Sequence, residues 1–159
     1  WSSDVCSSDL PQPEKRLFSL SDLLHNLEEL LQTNFQENNI SFTLRCSPEP
    51  MMTEGDEKQL SQVFLNLLKN AMQALEGHPH GELSLQAEQD EHIVIDITDN
   101  GPGIPPEIMD KVFIPFFTTK SEGTGIGLSL CKEIIRRHEG HLAIKESRAG
   151  KTVFHIELP

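Results

Sequence analysis

Basic residues are scarce: 13 lysines and arginines stand against 25 aspartates and glutamates, a formal charge of −12. That balance argues against nonspecific nucleic-acid binding and against a polybasic membrane patch. Cysteine is scarcer still, with three in 159 residues. Cys46 and Cys131 have no metal-ligand spacing and imply no disulfide framework, which points to a reducing, cytoplasmic compartment. No apolar run approaches the roughly 20 residues needed to cross a bilayer, although a segment upstream of this chain can contain one. Internal repeats are absent too. What remains has the length of one domain, enough for a real core.

The opening stretch WSSDVCSSDL, residues 1 to 10, lacks apolar periodicity. It back-translates without a gap to TGG AGT TCA GAC GTG TGC TCT TCC GAT CT, which resembles a common sequencing-library adapter. Residues 1 to 10 are therefore set aside from fold reasoning, and Asp4 and Asp9 go with them, leaving a charge of −10. The domain is expected to span 11 to 159, as the carboxy-terminal part of a longer protein.

Leu20, Leu23, Leu24, Leu27, Leu30 and Leu31 recur at helical spacing over 19 to 37, behind a serine-rich start. SFTLRC, 41 to 46, reads as a short strand. The strongest helix covers 56 to 77, with Leu60, Val63, Phe64, Leu67, Leu68, Ala71, Met72 and Leu75 on one face and Gly77 ending it. ELSLQAEQ and HIVIDIT form a hairpin; a third helix occupies 125 to 140; HLAIKES and KTVFHIELP are two last strands turning at Ala149 and Gly150. This order predicts an α/β two-layer sandwich, a mixed, largely antiparallel sheet with helices on one face.

Within HIVIDITDNGPGIP, the isoleucines 93, 95 and 97 share one parity, and that parity carries Asp99 inward with them. An inward carboxylate is costly without a partner, yet an aspartate before Asn-Gly can also do no more than cap its turn. On the long helix, at about 100° per residue, Asn66, Asn70 and Gln73 share a polar stripe within about 40° on one side and 20° on the other. Asn70 sits nearest its apolar border. Taken alone, such asparagines suit a solvated face. GTGIGLSL, 123 to 130, passes directly from glycines into a helix, which exposes backbone N–H groups and a helix dipole to an anion, though glycine before a helix is also ordinary loop chemistry. AGKT, 149 to 152, mimics the end of a P-loop but has Lys145 where the earlier glycine is required. A dinucleotide fingerprint fails because Leu128 occupies the third glycine position.

The ordered series NLLKNA, DNGPGIP, FIPFFTTK and GTGIGL resembles the N, G1, F and G2 boxes of the catalytic ATP-binding domain of two-component sensor histidine kinases, members of the gyrase, heat-shock chaperone, kinase and MutL superfamily. NAMQAL and PFFTTK look most like the nitrogen-regulation type. The resemblance spans about Leu17 to Pro159 and implies a Bergerat-type ATP-binding fold. It also implies that Asp99 accepts the adenine amino hydrogen, that Gly101, Gly103 and Ile104 border the base, and that Asn70 ligates Mg²⁺. Asn66 would face the phosphates or the metal's water shell and serve catalysis. Related kinases often place a basic residue where this chain has Gln73, also a candidate for contact with the nucleotide. The segment from about Pro105 to Gly123 would be the ATP lid, with Phe113 in the core, Phe116 and Phe117 as an anchor, and Thr118 and Lys120 at the phosphates. Lys120 would neutralise the γ-phosphate, and Gly123, Thr124, Gly125, Gly127 and Leu128 would complete the phosphate cradle.

The resemblance therefore implies an enzyme that binds ATP and Mg²⁺ and donates the γ-phosphate to a histidine on its own dimerisation domain, upstream of a response regulator, in a homodimer. None of the seven histidines stands in the family's acceptor setting. His25 reads as a surface helix residue. His138 and His141 flank a helix end, where a cation suits the dipole. Three rivals share the nucleotide site: a hydrolase, an anti-sigma-type serine kinase and a nucleotide-responsive interaction module. The hydrolase would need a glutamate where Asn66 stands, since an amide cannot act as a general base.

Overall fold

The computed structural model describes residues 10–115 and 127–159. The chain runs β1 (Arg16–Ser19), α1 (Leu20–Glu37), β2 (Ile40–Ser47), β3 (Met52–Gly55), α2 (Glu57–Ala74), β4 (Gly81–Gln89), β5 (Ile93–Asp99), α3 (Gly127–Arg137), β6 (His141–Arg148) and β7 (Lys151–Leu158). Five strands form the main sheet in the order β2-β4-β5-β7-β6. Only β2 and β4 are parallel, because a crossover through β3 and α2 joins them; the other pairs are antiparallel. The three helices and the inward residues of the sheet share one core, as the sandwich reading expects.

Each of the first two helices starts where a short polar side chain can take up a free N–H group. The Ser19 hydroxyl accepts from Asp22 N–H at 3.1 Å to open α1. The Asp56 carboxylate accepts from Gln59 N–H at 3.1 Å to open α2. Along α2 the residues Leu60, Val63, Phe64, Leu67, Leu68 and Ala71 are all buried, and Phe64 is fully enclosed. Leu30, by contrast, is 64% exposed. It falls at the edge of the α1 stripe and borders an open groove against α2 rather than the sheet.

Two elements have no signal in the sequence pattern. β1 and β3 are four residues each and pair antiparallel, Arg16 opposite Gly55 and Ser19 opposite Met52. Such short segments carry too little alternation to register, and their pairing is long-range.

His138 corrects another expectation. It is 3% exposed, and its Nε2 accepts the Asp56 backbone N–H at 2.9 Å while Nδ1 donates to the Ile134 carbonyl at 2.8 Å. This ring is neutral, not a cation for the helix dipole. Burial holds its pKa below the ordinary value, aided by Lys15 and opposed by the Ile134 bond and by Asp56. A base with a lowered folded pKa contributes stability that is present above the unfolded value, about 6.5, and is lost as pH falls below it. The difference in urea midpoint between the unaltered chain and His138→Gln is therefore expected to shift against the unaltered chain as pH falls from about 7.5 to about 5.5. Removing the acceptor altogether with His138→Ala is expected to cost about 1 to 3 kcal/mol, from the orphaned Asp56 N–H.

Candidate functional site

β5 alternates buried and half-buried positions through to its last residue, so Asp99 enters the core side as the parity of its isoleucines requires. It is only 4% exposed. Its neighbours across the sheet are Leu83 on β4 and Thr152 on β7, an apolar residue and a buried hydroxyl. Burial raises the Asp99 pKa, and the Gly101 N–H lowers it in part. That N–H donates to Oδ1 at 2.9 Å and is the only hydrogen bond to this carboxylate among the described residues. Oδ2 keeps acceptor capacity in a place where desolvation makes an unmet acceptor expensive.

The loop after Asp99 is held from three directions. Asn100 bridges to the start of β4, accepting from Glu82 N–H at 2.7 Å and donating to the His80 carbonyl at 2.9 Å. The Gly101 carbonyl accepts from Gly150 N–H at 2.8 Å. Ile104 N–H donates to Ser147 Oγ at 2.8 Å, and that hydroxyl also bonds Thr152 Oγ1 at 3.1 Å. The β6–β7 hairpin thus anchors the strand end that carries Asp99.

Both glycines expected at this loop are sterically required. Gly103 has φ +86°, and a Cβ there would lie 2.6 Å from the Arg148 carbonyl oxygen, too close for any side chain. A Cβ on Gly101 would stand 2.9 Å from Asp99 Oδ1 and 3.1 Å from the Ala74 carbonyl oxygen. The second contact brings the C-terminal turn of α2 against the loop. Asn70, one helical turn before Ala74, is half-buried on the same side of α2, with a bonded partner of its own. Ile104 and Leu128 are half-buried against the core, and Gly127 opens α3.

Asn66, one helical turn before Asn70 on α2, is half-buried. Close to it, the Cys131 thiol of α3 donates to the Val63 carbonyl at 3.7 Å. Burial pushes this thiol up to about 12, although Asn66 lowers its pKa in part, so Cys131 is an inert packing group. Gln73 is exposed and lines the groove between α1 and α2, with Leu30, Leu65, Lys69 and Met72. Phe113 packs edge-on to Phe154 at 6.4 Å, with Lys132 Nζ 4.6 Å from its ring centre, in line with a role in packing. Phe116, Phe117, Thr118, Lys120, Gly123, Thr124 and Gly125 lie outside the described residues. Sequence reasoning missed Asn100, Ser147 and Thr152. Their signal is positional, a polar residue opposite or beside Asp99 in the folded sheet, and no local pattern carries it.

A family model described as "Histidine kinase-, DNA gyrase B-, and HSP90-like ATPase" matches residues 55–159. Sporulation kinase C of Bacillus subtilis (strain 168) is 39% identical over 144 residues, 88% of this chain and 33% of that protein. The sensory histidine kinase/phosphatase NtrB of Rhodobacter capsulatus is 34% identical over 161 residues, 92% of this chain and 44% of its own. The chain thus spans under half the length of these curated relatives. Among solved structures, the nucleotide-free catalytic domain of histidine kinase ThkA superposes with a TM-score of 0.83 at 32% identity, covering 92% of this chain and 95% of that one. ThkA has also been solved in complex with the response regulator protein TrrA; it matches there with a TM-score of 0.77 at 30% identity, over 91% of this chain and 41% of that one.

Proposed function

The chain belongs to the histidine kinase-, DNA gyrase B- and HSP90-like ATPase family, and from that premise we propose that it is the ATP-binding catalytic portion of a two-component sensor kinase, donating the γ-phosphate of ATP to a histidine on a separate dimerisation domain. The observation that carries the reading is Asp99: a carboxylate 4% exposed, one oxygen satisfied by Gly101 N–H and the other with capacity to spare. A nucleobase amino group is the partner such an acceptor lacks. A hydrogen bond to a charged acceptor is worth about 1.5 to 3 kcal/mol.

Around that anchor, Gly101 and Gly103 admit the base without a side chain in its way, and Ile104 supplies an apolar border. Asn70 offers a hard amide oxygen on the helix that abuts the loop, and would hold Mg²⁺ alongside phosphate oxygens and water. When bound, that ion would neutralise charge on the triphosphate. Asn66, Gln73, Leu128 and the glycines from Gly123 to Gly127 are assigned to the phosphate side, with Thr118, Thr124 and Lys120 as donors and Phe117 as the lid's anchor. Phosphoryl transfer is largely positioning and charge stabilisation, so such a domain prepares ATP without owning the nucleophile. Hydrolysis as the main activity is disfavoured, because the position of the water-activating base holds Asn66, an amide that cannot act as a general base.

The intact protein would act on a response regulator as a homodimer, with this portion in the cytoplasm; no helix among the described residues is long and apolar enough to cross a membrane. The whole chain incubated with labelled ATP is expected to acquire little label by itself. It is expected to place acid-labile label on an acceptor-histidine domain supplied in trans. Robust acid-labile labelling of the chain alone would mean that it contains its own acceptor, and acid-stable label on a supplied protein would favour the serine-kinase rival.

A further inference from the structure

Four residues along the sheet from Asp99 and two strands over, the end of β2 brings three different ligand types together. In register, Cys46 stands opposite Ala87, which stands opposite Ile95. His25 reaches this point from α1 and Glu49 from the loop between β2 and β3. The ligating nitrogen, sulfur and carboxylate oxygen all lie within 4.8 Å of one another. His25 Nε2 and Glu49 Oε1 are 2.6 Å apart. On the other side of the ring, Glu28 Oε1 is 3.7 Å from Nδ1.

Tetrahedral zinc binds nitrogen and oxygen at about 2.0–2.1 Å and sulfur at about 2.3 Å, so its ligand atoms stand roughly 3.5 Å from each other. The observed separations, 2.6 Å between His25 Nε2 and Glu49 Oε1 and no more than 4.8 Å within the group, bracket that spacing. We propose that His25, Cys46 and Glu49 form a binding site for a divalent cation of the zinc class, with the fourth position left to water or an external ligand. The mixed imidazole, thiolate and carboxylate set suits a borderline-soft ion and not Mg²⁺ or Ca²⁺, which take oxygen. Glu28, 3.7 Å from Nδ1, stands on the side where metal-bound imidazoles commonly have a carboxylate partner.

The frame behind these side chains is fixed by the core. Leu24 and Leu27 flank His25 and are buried, and β2 is paired to β4 along its whole length. Access is open, since the His25 and Glu49 side chains are 47% and 50% exposed. In the metal-free protein the Cys46 thiol is pushed up to about 11, chiefly by burial and then by Glu49 and Glu28; binding would exchange its proton for the cation. A bound ion would clip α1 to the loop that follows β2. The wide separation of His25 and Cys46 along the chain explains why no local motif announces the site.

The test uses the full chain in a Cys6→Ser background, where the other remaining thiol, Cys131, is fully buried. Titration with Co²⁺ is expected to give one equivalent of binding with a thiolate-to-metal charge-transfer band. Zn²⁺ should displace the Co²⁺ and raise the melting temperature. Cys46→Ser is expected to abolish the band, and His25→Ala and Glu49→Gln to weaken Zn²⁺ binding by about tenfold or more, each with ATP affinity unchanged. Absence of the band in the parent chain, or equal Zn²⁺ affinity in parent and Cys46→Ser, would overturn the proposal. Because nucleotide binding is read in the same samples, failure here and failure of the kinase reading are separable.

Discussion

Asp99→Asn is expected to weaken ATP binding by about tenfold or more while leaving the nucleotide-free fold as stable as before or more so. The two effects have one origin. A buried carboxylate with a raised pKa carries a cost at neutral pH: a folded pKa above the unfolded value means stability present at low pH and lost as pH rises. An asparagine keeps an oxygen for the Gly101 N–H at 2.9 Å and removes the charge. What it loses is the second charged acceptor, and a charge-assisted hydrogen bond of about 1.5 to 3 kcal/mol corresponds to at least about tenfold in affinity. Calorimetric titration with ATP and thermal melts of the free proteins measure both quantities. Unchanged affinity would remove Asp99 from the nucleotide site; reduced affinity together with a destabilised fold would assign it a structural role.

Asn70→Asp is expected to separate metal from base. Asn70 lies one turn before Ala74, whose carbonyl touches the position of Gly101, so it is assigned to the phosphate side and not the adenine. Exchanging its neutral amide for a carboxylate alters the ligand field of the ion and adds a negative charge beside the triphosphate. Transfer to a supplied acceptor domain is expected to fall by about 100-fold, the scale of a misplaced reacting group. Nucleotide affinity measured without Mg²⁺ should change little. An equal collapse of metal-free binding would contradict the assigned role.

What is legible in the chain depends on whether the determinant is local. The α2 stripe from Leu60 to Ala71 follows helical spacing and is buried throughout. The parity of Ile93, Ile95 and Ile97 is by itself enough to turn Asp99 inward, and Gly101 and Gly103 stand where a backbone approach demands no Cβ. The rest needs the fold. β1 and β3 are too short to show a period, and their partners are far apart in the chain. Leu30 matches the helical pattern but lies beyond the width of the covered face. His138 reads as a helix-end cation because its acceptor contact with Asp56 N–H spans 82 residues. Ser147 and Thr152 brace the Asp99 loop from a hairpin that sequence presents as plain strands. His25, Cys46 and Glu49 meet only through the packing of α1 on β2.

The most direct measurement compares the binding of ATP with that of purine riboside triphosphate, which lacks the exocyclic amino group, to the unaltered chain. If Asp99 reads that group, ATP binds about tenfold or more tightly, and the preference disappears in Asp99→Asn. Equal affinity of the two nucleotides for the unaltered chain would contradict the account, because the buried carboxylate would then have some other partner.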